Sequence, residues 1–249
     1  MQYGICHLSI VPLRSLASNQ SEMLSQVLYG EHFKVLEERA NWSRIRLSFD
    51  NFEAWIENKQ YKKLSEENYV DLNEQQPELS VDLVEYVTDE NGYLMSIPLG
   101  SSLNNCENFN HIFEGNSIKE IQPKTSLIQT ALLYLNTPHC YGGRSPFGMD
   151  SSGFVQMVYK LNGHQLFRSA TDQAKQGEPL SFIEESEPGD LVFFDDREGI
   201  IDHVGIMMED NYIIHCDGLV RIDRIDHSGI FNTELRKHTH KLRVIKKII

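Results

Sequence analysis

Apolar and polar positions in the first quarter of the chain alternate over short stretches, the period of half-buried strands. Residues 5–14 carry Ile5, Leu8, Ile10, Val11 and Leu13, and further apolar runs fall at 27–29, 33–36, 42–47 and 54–56. Turn signals divide them, as at Tyr29-Gly30-Glu31 and Phe49-Asp50-Asn51. Many short strands at close spacing predict a small all-β barrel over residues 1–64. Residues 65–80 are polar and contain Gln75-Gln76-Pro77, which predicts a connector from which Tyr69, Val70 and Leu72 can dock. Short apolar pieces return over 81–121 around Asn91-Gly92, Leu99-Gly100 and Glu114-Gly115. Residues 65–124 therefore read as a linker and a second, degenerate barrel.

The period changes near residue 125. Leu127, Ile128, Ala131, Leu132 and Leu135 recur at helical spacing, with Thr125-Ser126 as a cap and Asn136-Thr137-Pro138 as a stop. After the Gly142-Gly143 loop, Asp150 can cap a second helix that buries Phe154, Val155, Val158 and Leu161 and ends at Asn162-Gly163. Strands are expected at 191–194, 204–208, 212–216, 220–222 and 242–249. Helices followed by an antiparallel sheet make 125–249 an α+β domain.

Composition narrows the partners. Of 249 residues, 23 are Lys or Arg and 36 are Asp or Glu, a formal net charge of −13. That acidic balance disfavours nucleic acid and anionic lipid surfaces. No apolar run is long enough for membrane insertion as a helix, and no secretory signal pattern opens the chain, so the expected location is cytoplasmic. Cys6, Cys106, Cys140 and Cys216 lack metal-type spacing and read as reduced thiols.

Chemistry concentrates in the second helix and the strands after it. Ser151 falls in the first turn of that helix, where free N–H groups and a partial positive charge favour an anion. His203 opens one strand and His215 lies in the next. A three-residue turn at Glu209-Asp210-Asn211 pairs Gly205 with His215 and puts His203 diagonally on the same face, about 7–8 Å away. A nucleophile at a helix start, a base on one strand and an orienting group on the next is a nucleophile–base–orienter arrangement.

Two resemblances follow from these residues. Val11-Pro12-Leu13-Arg14, Tyr29-Gly30-Glu31, Asn41-Trp42 and Trp55-Ile56 resemble the bacterial SH3-like barrel over about residues 1–64. The runs 142–148, 150–155 and 189–194, with Asp202-His203-Val204-Gly205-Ile206 and His215, resemble the NlpC/p60 family of cell-wall peptidases. Together they imply a multidomain chain: two small all-β SH3-like barrels followed by an α+β papain-like domain. The combination is similar to γ-D-glutamyl-L-diamino-acid peptidases. It implies a thiol-protease-type hydrolase of murein stem peptides with a free N-terminus, needing no metal or organic cofactor.

The resemblance puts the nucleophile on Ser151, where the family has cysteine, the base on His203 and the third residue on His215. It makes Asp150 and Ser152 substrate-pocket candidates, and makes Glu22 the candidate for receiving the substrate's amino terminus. His139 and Tyr141 stand where the family usually has Tyr and Trp, so His139 also lines the expected pocket. Arg144 and Arg168 are candidate carboxylate forks. Two alternatives stay open. A serine is a far weaker acid than a thiol, which suits a catalytically inactive muropeptide-binding protein that keeps the cleft. His139, His203 and His215 also raise a zinc site, although the short His spacings of zinc motifs are missing.

Overall fold

The computed structural model describes residues 2–249. The chain divides into two compact units: residues up to Glu120 together with Tyr141–Pro146, and Ile121–Cys140 together with Phe147–Ile249.

In the first unit the alternating runs form β1 (Gln2–Ile5), β2 (Ile10–Arg14), β3 (Met23–Leu28), β4 (His32–Glu38), β5 (Trp42–Leu47), β6 (Glu53–Glu57) and β7 (Lys62–Leu64). They make one antiparallel sheet in the order β3-β2-β6-β5-β4-β1-β7. Val11, Leu13, Val27, Phe33, Ile45, Leu47 and Ile56 share a single core, so the sheet curls around it. The run expected at 5–14 is two strands. The chain leaves the sheet after Ile5, and the Cys6 and Gly30 N–H groups bond the Glu31 and Cys6 carbonyls.

The connector expected at 65–80 is instead largely a helix, α1 (Glu66–Glu74). Ser65 caps it by accepting from the Asn68 N–H, and two glutamates occupy its first turn, where the helix dipole favours them. Its single buried residue, Tyr69, stacks on Tyr3 at 4.2 Å between ring centroids. With so little apolar face, its sequence carries no helical period. Beyond it lie β8 (Leu79–Ser80), β9 (Val84–Thr88), β10 (Leu94–Pro98), β11 (Ile112–Phe113) and β12 (Ser117–Ile118). These form a three-stranded sheet, β10-β9-β11, and a two-stranded pair, β12-β8. The returning segment Tyr141–Pro146 contains a short strand, β13 (Arg144–Ser145).

The second unit holds α2 (Ser126–Leu132), β14 (Gly148–Met149), α3 (Ser151–Leu161) and α4 (Ala170–Gln173). The strands that follow are β15 (Glu178–Leu180), β16 (Leu191–Asp195), β17 (Ile201–Met207), β18 (Tyr212–Asp217), β19 (Leu219–Asp226), β20 (Gly229–Asn232) and β21 (Lys237–Lys247). The sheet runs β15-β21-β16-β17-β18-β19-β20, and β20 also pairs with β21, closing six antiparallel strands on themselves. Val192, Phe194, Met207, Ile213, Ile225, Ile230 and Ile245 form the core of that ring. β20 escaped the sequence pattern because only four residues enter the ladder.

Helix α2 is shorter than the expected 125–135, and Thr125 makes no side-chain cap bond. Leu127 and Ala131 are buried, whereas Leu132 and Leu135 stay exposed. Asn136 takes a left-handed turn (φ 69°) and ends the segment. Helix α3 is buried on every side, not on one face as its apolar spacing implied. Two buried amides brace it: Gln156 Nε2 donates to the Leu166 carbonyl at 3.0 Å, and the C-cap Asn162 Nδ2 to the Val158 carbonyl at 2.8 Å. Asn162 and Gly163 (φ 83°) terminate it as expected. Among the described residues no helix is long and apolar enough to cross a membrane.

Candidate active site

Asp150 fixes the start of α3. Its backbone is extended (φ −93°, ψ 173°) and its Oδ1 accepts from the Gly153 N–H at 2.7 Å, an N-cap. The same carboxylate receives a forked pair from Arg168, Nη1 at 2.9 Å and Nη2 at 2.7 Å. Arg168 Nη1 also donates to Ser152 Oγ at 3.0 Å, and that hydroxyl donates to Asp150 Oδ1 at 3.2 Å. Asp150, Ser152 and Arg168 thus form one bonded set that holds the first turn. Ser151 is the first residue of that turn and is 6% exposed. Arg168, a candidate fork for a substrate carboxylate, is corrected: it is buried against Asp150, which neutralises it. Arg144 is corrected likewise. In the first unit its fully buried guanidinium forks onto Glu31 at 3.0 and 3.1 Å and also donates to the Gln26 carbonyl at 2.8 Å.

Helix α3 packs across β17 and β18. Gly205 pairs with His215, the expected register, so His203 lies diagonally beside it. Gly205 makes room there, since a Cβ at this position would sit 2.9 Å from His215 Cβ. His203 Nε2 and His215 Nδ1 are 2.9 Å apart, and His215 Nε2 is 3.1 Å from Asp223 Oδ2. Arg221 in turn binds Asp223, Nε at 2.7 Å from Oδ2 and Nη2 at 3.1 Å from Oδ1.

This chain assigns the tautomers. Burial favours a neutral Asp223, but hydrogen bonds and charge from His215 and Arg221 outweigh it and hold the carboxyl below the usual range. An ionised Asp223 requires the proton on His215 Nε2. With a neutral His215, its Nδ1 is an acceptor, His203 donates to it from Nε2, and the His203 lone pair is on Nδ1. Burial first, then the neighbouring His240, His215 and His139, push His203 well below the ordinary histidine value, so its neutral, basic form dominates near pH 7.

The remaining candidates separate. His139 is exposed, its N–H donates to the Gly218 carbonyl at 2.9 Å, and its charge reaches His203. Glu22 belongs to the first unit, in the turn before β3, with an exposed side chain. Cys216 is no substitute nucleophile: burial pushes its thiol up to about 12, and it donates to the Met149 carbonyl at 3.1 Å.

The sequence reading missed two groups, Asp223 and His240. Asp223 lies one residue past the strand end expected at 222, where the apolar alternation stops. The available signal was an aspartate two positions from Arg221, on the same face of the strand. His240, on β21, stacks on His203 at 4.0 Å. Nothing near it in sequence distinguishes it from His238, which is exposed and pairs with Asp226.

A helix-start residue on a helix packed against strands that carry a bonded His–His–Asp series is a nucleophile–base–orienter arrangement. Residues 136–243 match the NlpC/P60 family, and residues 13–60 match the bacterial dipeptidyl-peptidase Sh3 domain. The chain therefore carries an NlpC/P60 domain preceded by a bacterial SH3 domain. It is 28% identical over 219 residues to a gamma-D-glutamyl-L-lysine dipeptidyl-peptidase of Bacillus subtilis (strain 168), covering 77% of this chain and 71% of the relative. It is 27% identical to dipeptidyl-peptidase 6 of Lysinibacillus sphaericus, over 79% of this chain and 80% of that one. The crystal structure of an NlpC/P60 family protein from Bacillus cereus ATCC 10987 aligns over 99% of both chains with a TM-score of 0.80 at 16% identity, a likeness of fold.

Proposed function

We propose that this protein hydrolyses the γ-D-glutamyl bond to the L-diamino acid in murein stem peptides, as a cytoplasmic step of cell-wall peptide recycling. The observation that carries the reading is the bonded series His203–His215–Asp223, at 2.9 and 3.1 Å, beside a helix that begins at Ser151. Relatives named for γ-D-glutamyl-L-lysine cleavage support the bond type.

In this reading Ser151 Oγ attacks the γ-glutamyl carbonyl and His203 Nδ1 takes its proton. His215 and Asp223 hold the imidazole in that tautomer and stabilise the cation that forms. The N–H end of α3 receives the oxyanion. His203 then returns the proton to the leaving amine, and water releases the acyl group by the reverse sequence. Asp150 and Ser152 shape the pocket floor through Arg168, and His139 lines its mouth. Glu22 receives the free amino terminus of the peptide. Residues 65–124 serve as a linker and second SH3-like barrel.

A second reading, a muropeptide-binding protein without turnover, draws on one observation: the hydroxyl of Ser151 in place of a thiol. Incubation with L-Ala-γ-D-Glu-diamino-acid peptide and mass spectrometry of the products separates the two, with Ser151→Ala as the blank. Release of L-Ala-D-Glu by the native chain alone supports the hydrolase. Peptide binding without product supports the binding protein.

A further inference from the structure

The reaction sequence above leaves one half-buried histidine without a task. His240 of β21 lies almost flat against His203, ring centroids 4.0 Å apart and planes 25° apart. It meets His215 edge-on at 5.7 Å and 77°. Its Nδ1 is 2.9 Å from Thr239 Oγ1. Phe194 completes the packing, 5.8 Å from His203 and 6.0 Å from His240. The backbone under His240 is closely held: a Cβ on Gly229 of β20 would lie 1.8 Å from the His240 carbonyl oxygen, and Gly229 sits at φ 136°. Only glycine lets β20 come this near.

One nitrogen from each of His203, His215 and His240 lies within 4.8 Å of the other two, the separation of a metal cluster. The stack argues against that use. Imidazole lone pairs lie in the ring plane, so two near-parallel rings aim them side by side and not at a common point. His203 Nε2 and His215 Nδ1 are moreover bonded to each other.

We propose that His240 is a positioning residue for His203, fixing the plane of its ring and holding the stacked pair to a single proton. The proposal rests on the reading of His203 as the general base. Two imidazolium faces in van der Waals contact repel, so charge on one ring disfavours charge on the other. The groups facing the pair act in the same direction on His203. His215 from β18 and His139 from the segment before α3 disfavour a cation there, and Ser151 on α3 is uncharged. Burial first, then His215, hold His240 below the ordinary histidine value too, while Asp217 and Asp223 favour its proton.

The consequence concerns position 151. A thiolate pairs with an imidazolium, whereas a hydroxyl needs a neutral imidazole to accept its proton. A stacked second histidine that takes the first proton keeps His203 in the neutral state that Ser151 requires.

The test is a nitrogen-15 NMR titration of the histidine rings in the full chain, over about pH 4 to 9. In the native protein His203 and His240 are expected to titrate in two coupled steps, with the His203 step at the lower pH. His240→Phe keeps a ring on the stack and removes its proton. The His203 step should then move to higher pH, and the acid limb of hydrolysis should move up with it. His240→Gln should shift both in the same direction. Independent single-step titration of the two rings in the native chain, or an unmoved His203 step in a folded His240→Phe protein, overturns the proposal. The native titration decides even where a variant does not fold. Coupled steps in a protein without hydrolysis would count against the hydrolase reading and leave the pairing of the two rings standing.

Discussion

The Arg144–Glu31 pair of the first unit and the His203–His215–Asp223 series of the second are both buried polar constructions, and they differ in how they end. Arg144 is 0% exposed and Glu31 5%, so each charge has the other in place of water. The carboxylate is closed further by the Leu28 N–H, which donates to Glu31 Oε2 at 2.8 Å. The histidine series is anchored equally well at one end, by Arg221 on Asp223. At its other end it stops at His203, on a strand packed against α3. A buried polar network closed at both ends holds a fold. One closed at a single end presents a tuned group to whatever arrives, which is the arrangement a reaction needs.

Substitutions can break this contrast in order of effect. His203→Ala should abolish hydrolysis by about 10²–10⁴-fold, the contribution of a general base, with little change in urea denaturation. A comparable loss of stability would make His203 structural instead. Glu31→Gln should do the opposite, lowering unfolding free energy by about 3–5 kcal/mol because the Arg144 charge is left buried without its counter-charge. Equilibrium urea unfolding measures it, and a loss under about 1 kcal/mol would show that water replaces the carboxylate.

How much of this was legible depended on what each element buries. β5 follows from alternation, because one face of the strand is apolar and a one-residue slip would turn it outward, and the register of Gly205 with His215 follows from the three-residue turn at Glu209-Asp210-Asn211. Helix α1 has a single buried residue, so its chain carries no period to read. Ser151, His203 and His215 stood out by position in a recurring series of motifs. Asp223 and His240 did not, since each acts through a histidine brought near by sheet pairing and not by sequence. The partners of Arg144 and Arg168, 113 and 18 residues away, were likewise invisible before the fold joined them.

Smaller changes sharpen the contrast. Asp223→Asn removes the charge that fixes the His215 tautomer. Loss of one charged hydrogen bond, about 1.5–3 kcal/mol, predicts a kcat reduced about 10–100-fold with KM nearly unchanged. A change in KM alone would place Asp223 in binding.

The smallest effect is on stability against pH. His203 has a folded value below its unfolded one, about 6.5, so the unfolded chain binds the extra proton. Above pH 6.5 both states are neutral and nothing is lost. As pH falls below about 6.5, stability should decline by up to about 1.4 kcal/mol per pH unit for each such proton. His203→Gln should flatten that slope between about pH 6.5 and 5. The depressed Asp223 adds a separate loss only at lower pH, below its unfolded value of about 3.9. A slope identical in the variant would mean that His203 is not held neutral by the fold.

The central claim is that the second unit retains a working acyl-transfer geometry with a hydroxyl at the attacking position. The most direct measurement is the rate of L-Ala-D-Glu release from L-Ala-γ-D-Glu-diamino-acid peptide by the native chain, Ser151→Cys and Ser151→Ala, followed by mass spectrometry. The account predicts measurable release by the native chain, none by the alanine variant, and at least about a tenfold gain with cysteine, because a thiol ionises far more readily at a helix start beside an imidazole. No product from either the native or the cysteine protein, with peptide binding intact, would contradict it and leave a muropeptide-binding protein.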